Sequence, residues 1–392
     1  MTYSNQLNSK IIFALTLVHF TGDFYSSFTG PLLPVFTEKL SLSMAQVGIL
    51  TGIIRLLSFI VQPVVGYLAD RYQTRLFILG GLFFTIFFIP LSGIAPNFYL
   101  LIIVLAIGSI GSSMFHPSVT GMIPLYSGLK TSFCISIFNT GGTLAFGIGP
   151  VFITWFVARF GLENMPYTMG IGVVFLLVCI KIVPPPVSEG FKNKGFIGSI
   201  KETLGDVWKP IALIWVVMVL RAVTGQSFMT FMPIYLANSG YPLVSVGFIV
   251  ALFIIAGTLS GLTAGLMADR TGFKKIFYLT HTLMTPALLL YLYLPGNFAF
   301  AGSFLAGFFV MATMPLGVVM AQNLAPKGRS MVSSFMMGLA YGLGGAVSPV
   351  VGRLADIFSI ETVLFYTAFV PLITLPIISL FPGSTNPDHP SA

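Results

Sequence analysis

The sequence predicts an all-α polytopic membrane protein of twelve transmembrane helices in two pseudo-symmetric six-helix bundles. Three observations predict it. Of the 392 residues, 56% are hydrophobic and only 8% charged, where soluble domains carry roughly a quarter charged residues. Apolar runs long enough to cross a bilayer recur along nearly the whole chain, and they are continuous rather than alternating, which excludes an outer-membrane barrel. The third observation is repetition. Displaced by 199 residues, the sequence lays Pro34 on Pro233, Val47-Gly48 on Val246-Gly247, Gly66, Ala69, Asp70 and Arg71 on Gly265, Ala268, Asp269 and Arg270, and Pro150 on Pro349. Duplicated halves are a common way to build polytopic membrane proteins.

The expected spans run 10–37, 44–69, 76–95, 97–126, 130–159, 164–184, 209–237, 243–268, 275–294, 297–323, 328–354 and 361–381. The domains follow: an N-terminal bundle over 1–184, a cytoplasmic linker over 185–208, a C-terminal bundle over 209–382 and a polar tail over 383–392. The linker follows Pro184, carries Pro185, Pro186 and mixed charge, and ends in an amphipathic stretch. A second echo, PVVGYLAD at 63–70 and PVVGRLAD at 349–356, falls at opposite membrane faces, as three-helix repeats of inverted orientation require.

The formal charge of +8 reads as topology rather than as a nucleic-acid footprint. Placed against the spans, fourteen basic residues fall towards one side of the membrane and three (Lys39, Arg159 and Arg353) towards the other. This asymmetry places both termini in the cytoplasm and the chain in the cell (inner) membrane. The first span is longer than a signal peptide's apolar core and has no small-residue cleavage site after it, so it is expected to be retained. Cys134 and Cys179 both lie in apolar segments and support neither a disulfide framework nor a metal site.

One stretch organises the polar chemistry: VHFTGDFYSSFTGPLLP, residues 18–34, in the first span. Asp23 is the acidic residue placed deep within a hydrophobic segment, and a carboxylate in lipid must be paired, hydrated or protonated. Thr16, His19, Asp23, Ser26 and Gly30 recur at helical spacing, so this helix is expected to turn a polar seam inward and lipid-facing residues outward. The second span carries Thr51, Arg55, Ser58 and Gln62 as a polar stripe; the fourth carries Ser109, Ser113, His116 and Thr120, with Pro117 beside His116. The seventh gives Arg221, Thr224 and Phe228, with Gln226 on another face. Small-residue pairs such as Gly48/Gly52 and Gly257/Gly261 are read as sites of close helix approach.

At GYLADRYQTR (66–75) and GLMADRTGFKK (265–275) the chain resembles the major facilitator superfamily, matching its signature for the loops after the second and eighth helices. The second copy is nearer the consensus, because Tyr72-Gln73 stand where a glycine is usual in the first. The resemblance covers essentially the whole chain. HFTGDFYSSFTGPLLP in the first span and GSSMFHPSVTGMIP in the fourth are similar to the fosmidomycin-resistance group of drug exporters. Gly141, Gly142, Gly147, Gly149 and Pro150 echo the glycine-rich fifth helix of proton antiporters, but Val151-Phe152-Ile153-Thr154 replace its trailing glycines.

The resemblance implies alternating access around a cavity lined by the first, fourth, seventh and tenth helices, with Asp23, His116 and Arg221 facing it. Asp23 is expected to be the protonatable coupling residue, helped by His19, with Arg55 or Arg221 as its partner; a fixed Asp–Arg pair that sets helix packing is the alternative. The expected substrate-binding residues are His116, Arg221, Gln226, Phe228, Asn139 and Tyr341, with Arg221 and His116 pointing to an oxyanion such as a phosphonate. Gly66, Asp70, Arg71, Gly265, Asp269 and Arg270 are expected to gate the cytoplasmic side. His281 is expected at the membrane interface.

The expected activity is proton-coupled efflux of a small organic molecule or antibiotic, as an antiporter. Uptake of a small organic anion is the alternative within transport. A transporter-like sensor is the alternative outside it, although the termini carry no signalling extension. No P-loop, no His/Cys metal cluster and no Ser-His-Asp constellation is legible, so no cofactor, no metal and no enzymatic activity is expected. The expected partners are a small-molecule substrate, protons and the lipid bilayer, with the chain a monomer.

Overall fold

The computed structural model describes residues 7–71, 75–185, 205–325, 332 and 335–382. The expected linker (beyond residue 185) and tail lie largely outside the described residues. The fold is all-α, and eleven helices among the described residues are long and apolar enough to cross a membrane. They are the expected spans one to ten and twelve. The expected eleventh begins outside the described residues and continues as a π-helical turn, Phe335–Leu339, followed by two helical segments.

In chain order the α-helices are α1 (Ser9–Ser26), α2 (Thr29–Leu40), α3 (Met44–Arg71), α4 (Gly81–Leu91), α5 (Phe98–Tyr126), α6 (Thr131–Phe160), α7 (Met169–Ile182), α8 (Trp208–Asn238), α9 (Leu243–Thr271), α10 (Phe273–Tyr293), α11 (Phe298–Met311), α12 (Thr313–Leu324), α13 (Ala340–Ala346), α14 (Ser348–Phe358), α15 (Ile360–Thr367) and α16 (Val370–Ser379). Proline accounts for the break in the first span. Pro31 cannot donate to the carbonyl one turn back and its ring crowds it. The chain therefore tightens at Ser27 and Phe28, whose N–H groups bond Asp23 O and Tyr25 O at 2.9 and 3.1 Å. Elsewhere Thr and Ser hydroxyls back-bond to carbonyls beside prolines: Thr120 to His116 O beside Pro117, and Thr154 to Pro150 O.

Contacts group the described chain into two compact units that depart from the expected division at two stretches. Ser43–Arg55 groups with most of the C-terminal half, and Leu236–Ala251 with the N-terminal half. The sequence repeat supplies the reason. Gly48 is so close to the backbone of Ser348 and Pro349 that a side chain would collide with it; Gly247 is equally close to Pro150 O and Thr154. Gly48 and Gly247 are related by the internal repeat, and so are Pro150 and Pro349. Each glycine therefore meets a proline segment of the other half, and one contact is the pseudo-symmetric image of the other.

In the first unit α1 is the central element, packed against α4, α5, α6 and α7. Its outward stripe is narrow: Phe13 is exposed, and Leu17 and Phe20, one and two turns on, are partly exposed. From Val18 to Tyr25 only Phe20 is partly exposed, because four neighbours close around this part of the helix. Glycines let them in: a β-carbon on Gly142 would lie 2.6 Å from the His19 ring and 2.8 Å from Asp23 Oδ2. Tyr25 pins the far side, donating to Thr168 O at 2.5 Å and accepting from Gly172 N–H at 2.9 Å. Between helices in lipid the hydrophobic effect gives no drive, so close packing of this kind and interhelical hydrogen bonds hold the unit.

The second unit is built on α8, α10, α11, α12, the Phe335–Leu339 turn and α13, with Ile214, Met218, Phe277, Leu316 and Met336 in its core. Here α14 approaches the N-terminal end of α3 through Gly352. Asp356 at its end accepts from the N–H groups of Met44 and Ala45, at 2.7 and 2.9 Å. A carboxylate on the free N–H groups of a helix start is stabilised by hydrogen bonding and by the helix dipole together. Asp356 closes the second PVVG echo. The side chain of Asp70, which closes the first, lies outside the described residues.

Candidate functional site

The first unit gathers His19, Asp23 and His116 into one buried cluster. Asp23 is 3% exposed. His19, one turn earlier on α1, sets Nε2 3.1 Å from Asp23 Oδ2; His116, from α5, sets Nε2 2.9 Å from Oδ1. Oδ1 has no other partner, so His116 Nε2 is its close polar neighbour among the described residues. The rings are held by stacking: His19 lies 4.0 Å from the Phe138 ring, His116 4.4 Å from the Phe115 ring, and the two imidazoles meet edge to face at 5.0 Å.

Hydrogen-bond chemistry constrains where the protons are. His19 Nδ1 lies 2.9 Å from Phe138 O; a carbonyl only accepts, so Nδ1 carries the hydrogen. Nε2 then faces the Asp23 carboxyl across 3.1 Å. A bare lone pair against a carboxylate oxygen would be repulsive, so one proton lies between them, on either the imidazole or the carboxyl. The pair thus holds a titratable proton away from water. His116, the least buried of the three with 27% of its side chain exposed, is the member that can pass a proton outward.

The three ligand atoms lie within 4.8 Å of one another, a grouping that could hold a metal ion. No such cluster is legible along the chain, because His116 lies far in sequence from His19 and Asp23.

The second unit holds the arginines. This corrects the expected Asp23–Arg pairing: among the described residues the ion-pair partners of Asp23 are the two histidines, and Arg55 and Arg221 make no ion pair. Arg221 on α8 is 2% exposed. One guanidinium N–H donates to Val310 O at 3.0 Å, while Nε has no partner. Leaving a buried charge unpaired costs several kcal/mol. Tyr341 on α13 lies near both arginines: the guanidinium carbons of Arg55 and Arg221 are 5.7 and 5.9 Å from its ring centroid.

The other expected residues are dispersed. Gln226 is buried with its Nε2 unpartnered. Phe228 is buried against Tyr291, so it packs in the interior. Asn139 is exposed on α6. Asp269 and Arg270 are exposed at the end of α9, and Gly265 has open space around it. The side chains of Asp70 and Arg71, and Gly66, fall outside the described residues. His281 is fully buried rather than interfacial, with Nδ1 2.9 Å from Phe277 O, because α10 starts two turns earlier and carries it into the core.

Comparison with known proteins places this geometry. The family model of the Major Facilitator Superfamily matches residues 15–349. The chain is 26% identical to the fosmidomycin resistance protein of Escherichia coli (strain K12), over 94% of this chain and 92% of that protein. It is 24% identical to the multidrug resistance protein MdtG of Proteus mirabilis (strain HI4320), over 88% and 89%. Among solved structures, a bacterial homologue of the human lysosomal transporter Spinster, in an inward-facing and occupied conformation, superposes with a TM-score of 0.81 at 14% identity, covering 95% of this chain and 96% of that one.

Proposed function

The chain belongs to the major facilitator superfamily, and from that premise we propose that it exports a small organic molecule in exchange for protons. It is a multi-pass membrane transporter by family. Proton exchange and outward direction are our reading, supported most by one observation: the buried His19–Asp23–His116 cluster, which holds a proton against a carboxyl in a membrane-spanning helix. Ionisable groups inside a membrane segment mark ion pathways and proton relays. Two imidazoles give the cluster nitrogens that can accept and donate a proton.

In this mechanism Asp23 and His19 hold the coupling proton, and His116 relays it. Protonation reduces the cost of carrying the carboxyl through a dry, occluded state. Deprotonation on the cytoplasmic side leaves a charge that favours reopening. The similarity to resistance proteins supports efflux over uptake, and the basic-residue asymmetry supports cytoplasmic termini. The gating motif is assigned to Asp70, Arg71, Asp269 and Arg270 with Gly66 and Gly265, and the acting species is a monomer.

The test is drug-driven proton movement in everted membrane vesicles, comparing the wild-type chain with Asp23→Asn at matched expression. A drug panel including fosmidomycin should dissipate an imposed pH gradient through the wild type and not through the variant. Unchanged proton movement in Asp23→Asn would overturn the coupling assignment. Accumulation into intact cells in place of extrusion would reverse the direction. A C-terminal reporter active only in the periplasm would overturn the topology.

A further inference from the structure

We infer that Arg55, Arg221 and Tyr341 form a binding site for an oxyanion, a phosphonate or carboxylate group carried by the transported molecule. The inference rests on the transporter reading above and names the substrate chemistry that reading leaves open.

The site is built by one short helix. On α13, Tyr341 and Gly345 lie one turn apart and face Arg55. A β-carbon on Gly345 would lie 2.5 Å from Arg55 Cβ, so the absence of a side chain is what admits the arginine stem. The neighbouring Gly344 does the same for α8: a β-carbon there would lie 2.5 Å from Ala222 Cβ, beside Arg221. The paired glycines thus bring the Tyr341 helix against both arginine-bearing helices. The π-helical turn just before α13 adds a residue to its winding where it meets them.

The electrostatics are unbalanced. Among the described residues neither guanidinium has a carboxylate within ion-pair distance; the only ion pairs are those of Asp23. Arg221 is as buried as a core phenylalanine, yet its Nε remains without a partner. A structural arginine would be expected to have all its donors satisfied. Cation–π contact with Tyr341 offsets part of the cost of two positive charges near one ring, while the Nε–H of Arg221 is left without a partner. Planar N–H forks match tetrahedral and planar oxyanions bidentately, and a phenol adds one O–H donor. Two fixed positive charges suit a mono- or dianion.

The same chemistry could come from a soluble molecule or from an anionic lipid headgroup, and the experiment separates them. The purified full chain, in nanodiscs of phosphatidylcholine alone, is titrated with fosmidomycin and with methylphosphonate, and thermal stability and direct binding are read. Both ligands should stabilise the wild type, with affinity falling at least tenfold in Arg55→Gln and in Arg221→Lys. The lysine keeps the charge and loses the fork. Tyr341→Phe should give a smaller loss. Asp23→Asn should still bind, so failure of the proton-coupling reading leaves this result intact. Conversely, if drug-driven proton exchange survives while neither ligand binds, the oxyanion site falls and the coupling reading stands. Equal affinity in wild type, Arg55→Gln and Arg221→Lys would overturn the inference. So would stabilisation confined to nanodiscs containing phosphatidylglycerol, which would assign the arginines to lipid.

Discussion

The two units carry opposite kinds of polar chemistry. In the first, Asp23 lies between two imidazoles. In the second, Arg55 and Arg221 flank Tyr341 with no carboxylate partner among the described residues, and an arginine keeps its charge at any physiological pH. The difference teaches how a duplicated fold can diversify. The repeat preserved the packing glycines and prolines, Gly48 with Pro349 and Gly247 with Pro150. It did not preserve the charges: the positions equivalent to Asp23 and His19 in the second half are Ala222 and Met218. A carboxyl held by two imidazoles and a pair of arginines around one tyrosine thus stand in separate units.

Five perturbations sharpen or break this contrast, from the largest expected effect downward. Asp23→Asn keeps the shape of the cluster and removes its acid. Proton-coupled transport should fall by about 100-fold or more, the scale of losing a positioned proton-transfer group, as measured by fluorescence quenching in vesicles. Retention of coupled exchange would remove the distinction between the units.

Arg221→Met should separate function from stability. Replacing an unpartnered buried charge by an apolar side chain of similar volume is neutral or stabilising by about 1–4 kcal/mol, so thermal unfolding should not fall. Transport should fall at least tenfold. A less stable protein with normal transport would make Arg221 a structural clamp.

Gly142→Ala tests the first unit through packing alone. The added methyl would collide with the His19 ring and Asp23 Oδ2, and α6 must shift. Overpacking of this kind costs about 1–3 kcal/mol, read as a lowered unfolding temperature, and the proton-exchange rate should fall with it. The equivalent insult in the second unit, Gly345→Ala against the Arg55 stem, should lower ligand affinity while leaving proton exchange on a bound-ligand basis unchanged.

The smallest effect is expected at Asp356→Ala, which removes the acceptor for two N–H groups at the start of α3. Loss of such a cap costs about 0.5–2 kcal/mol. It should loosen the Met44 end of α3, measured as faster amide exchange at Met44 and Ala45, with neither polar site altered chemically. Protection unchanged at those two amides would show that the cap contributes nothing.

Much of the fold was legible because membrane helices write themselves as length and apolarity. The spans follow from local composition and the duplication from comparing the chain with itself. Asp23 was legible as well, since an acid in an apolar run has no bland explanation in composition. Its partner was not. His19 is visible at helical spacing, whereas His116 lies in the fourth span, and nothing in its neighbourhood says that its ring reaches Asp23. The expectation of an arginine partner followed charge alone, and charge complementarity does not choose among candidates on different helices. How narrow the exposed stripe of α1 is was not legible for the same kind of reason: an apolar residue reads alike whether lipid or another helix covers it.

The sequence by itself determined which segments cross the membrane, where the halves repeat and which buried groups need partners, because these depend on solvation and on helical periodicity within one segment. Only the tertiary structure decided that Asp23 meets two histidines, that Arg55 and Arg221 share Tyr341, and that α1 is buried from Thr21 to Tyr25. Those outcomes depend on which helices approach closely and at what rotation. Glycines such as Gly142, Gly344 and Gly345 permit such an approach, but a glycine in a sequence does not name the residue that will occupy the space it leaves.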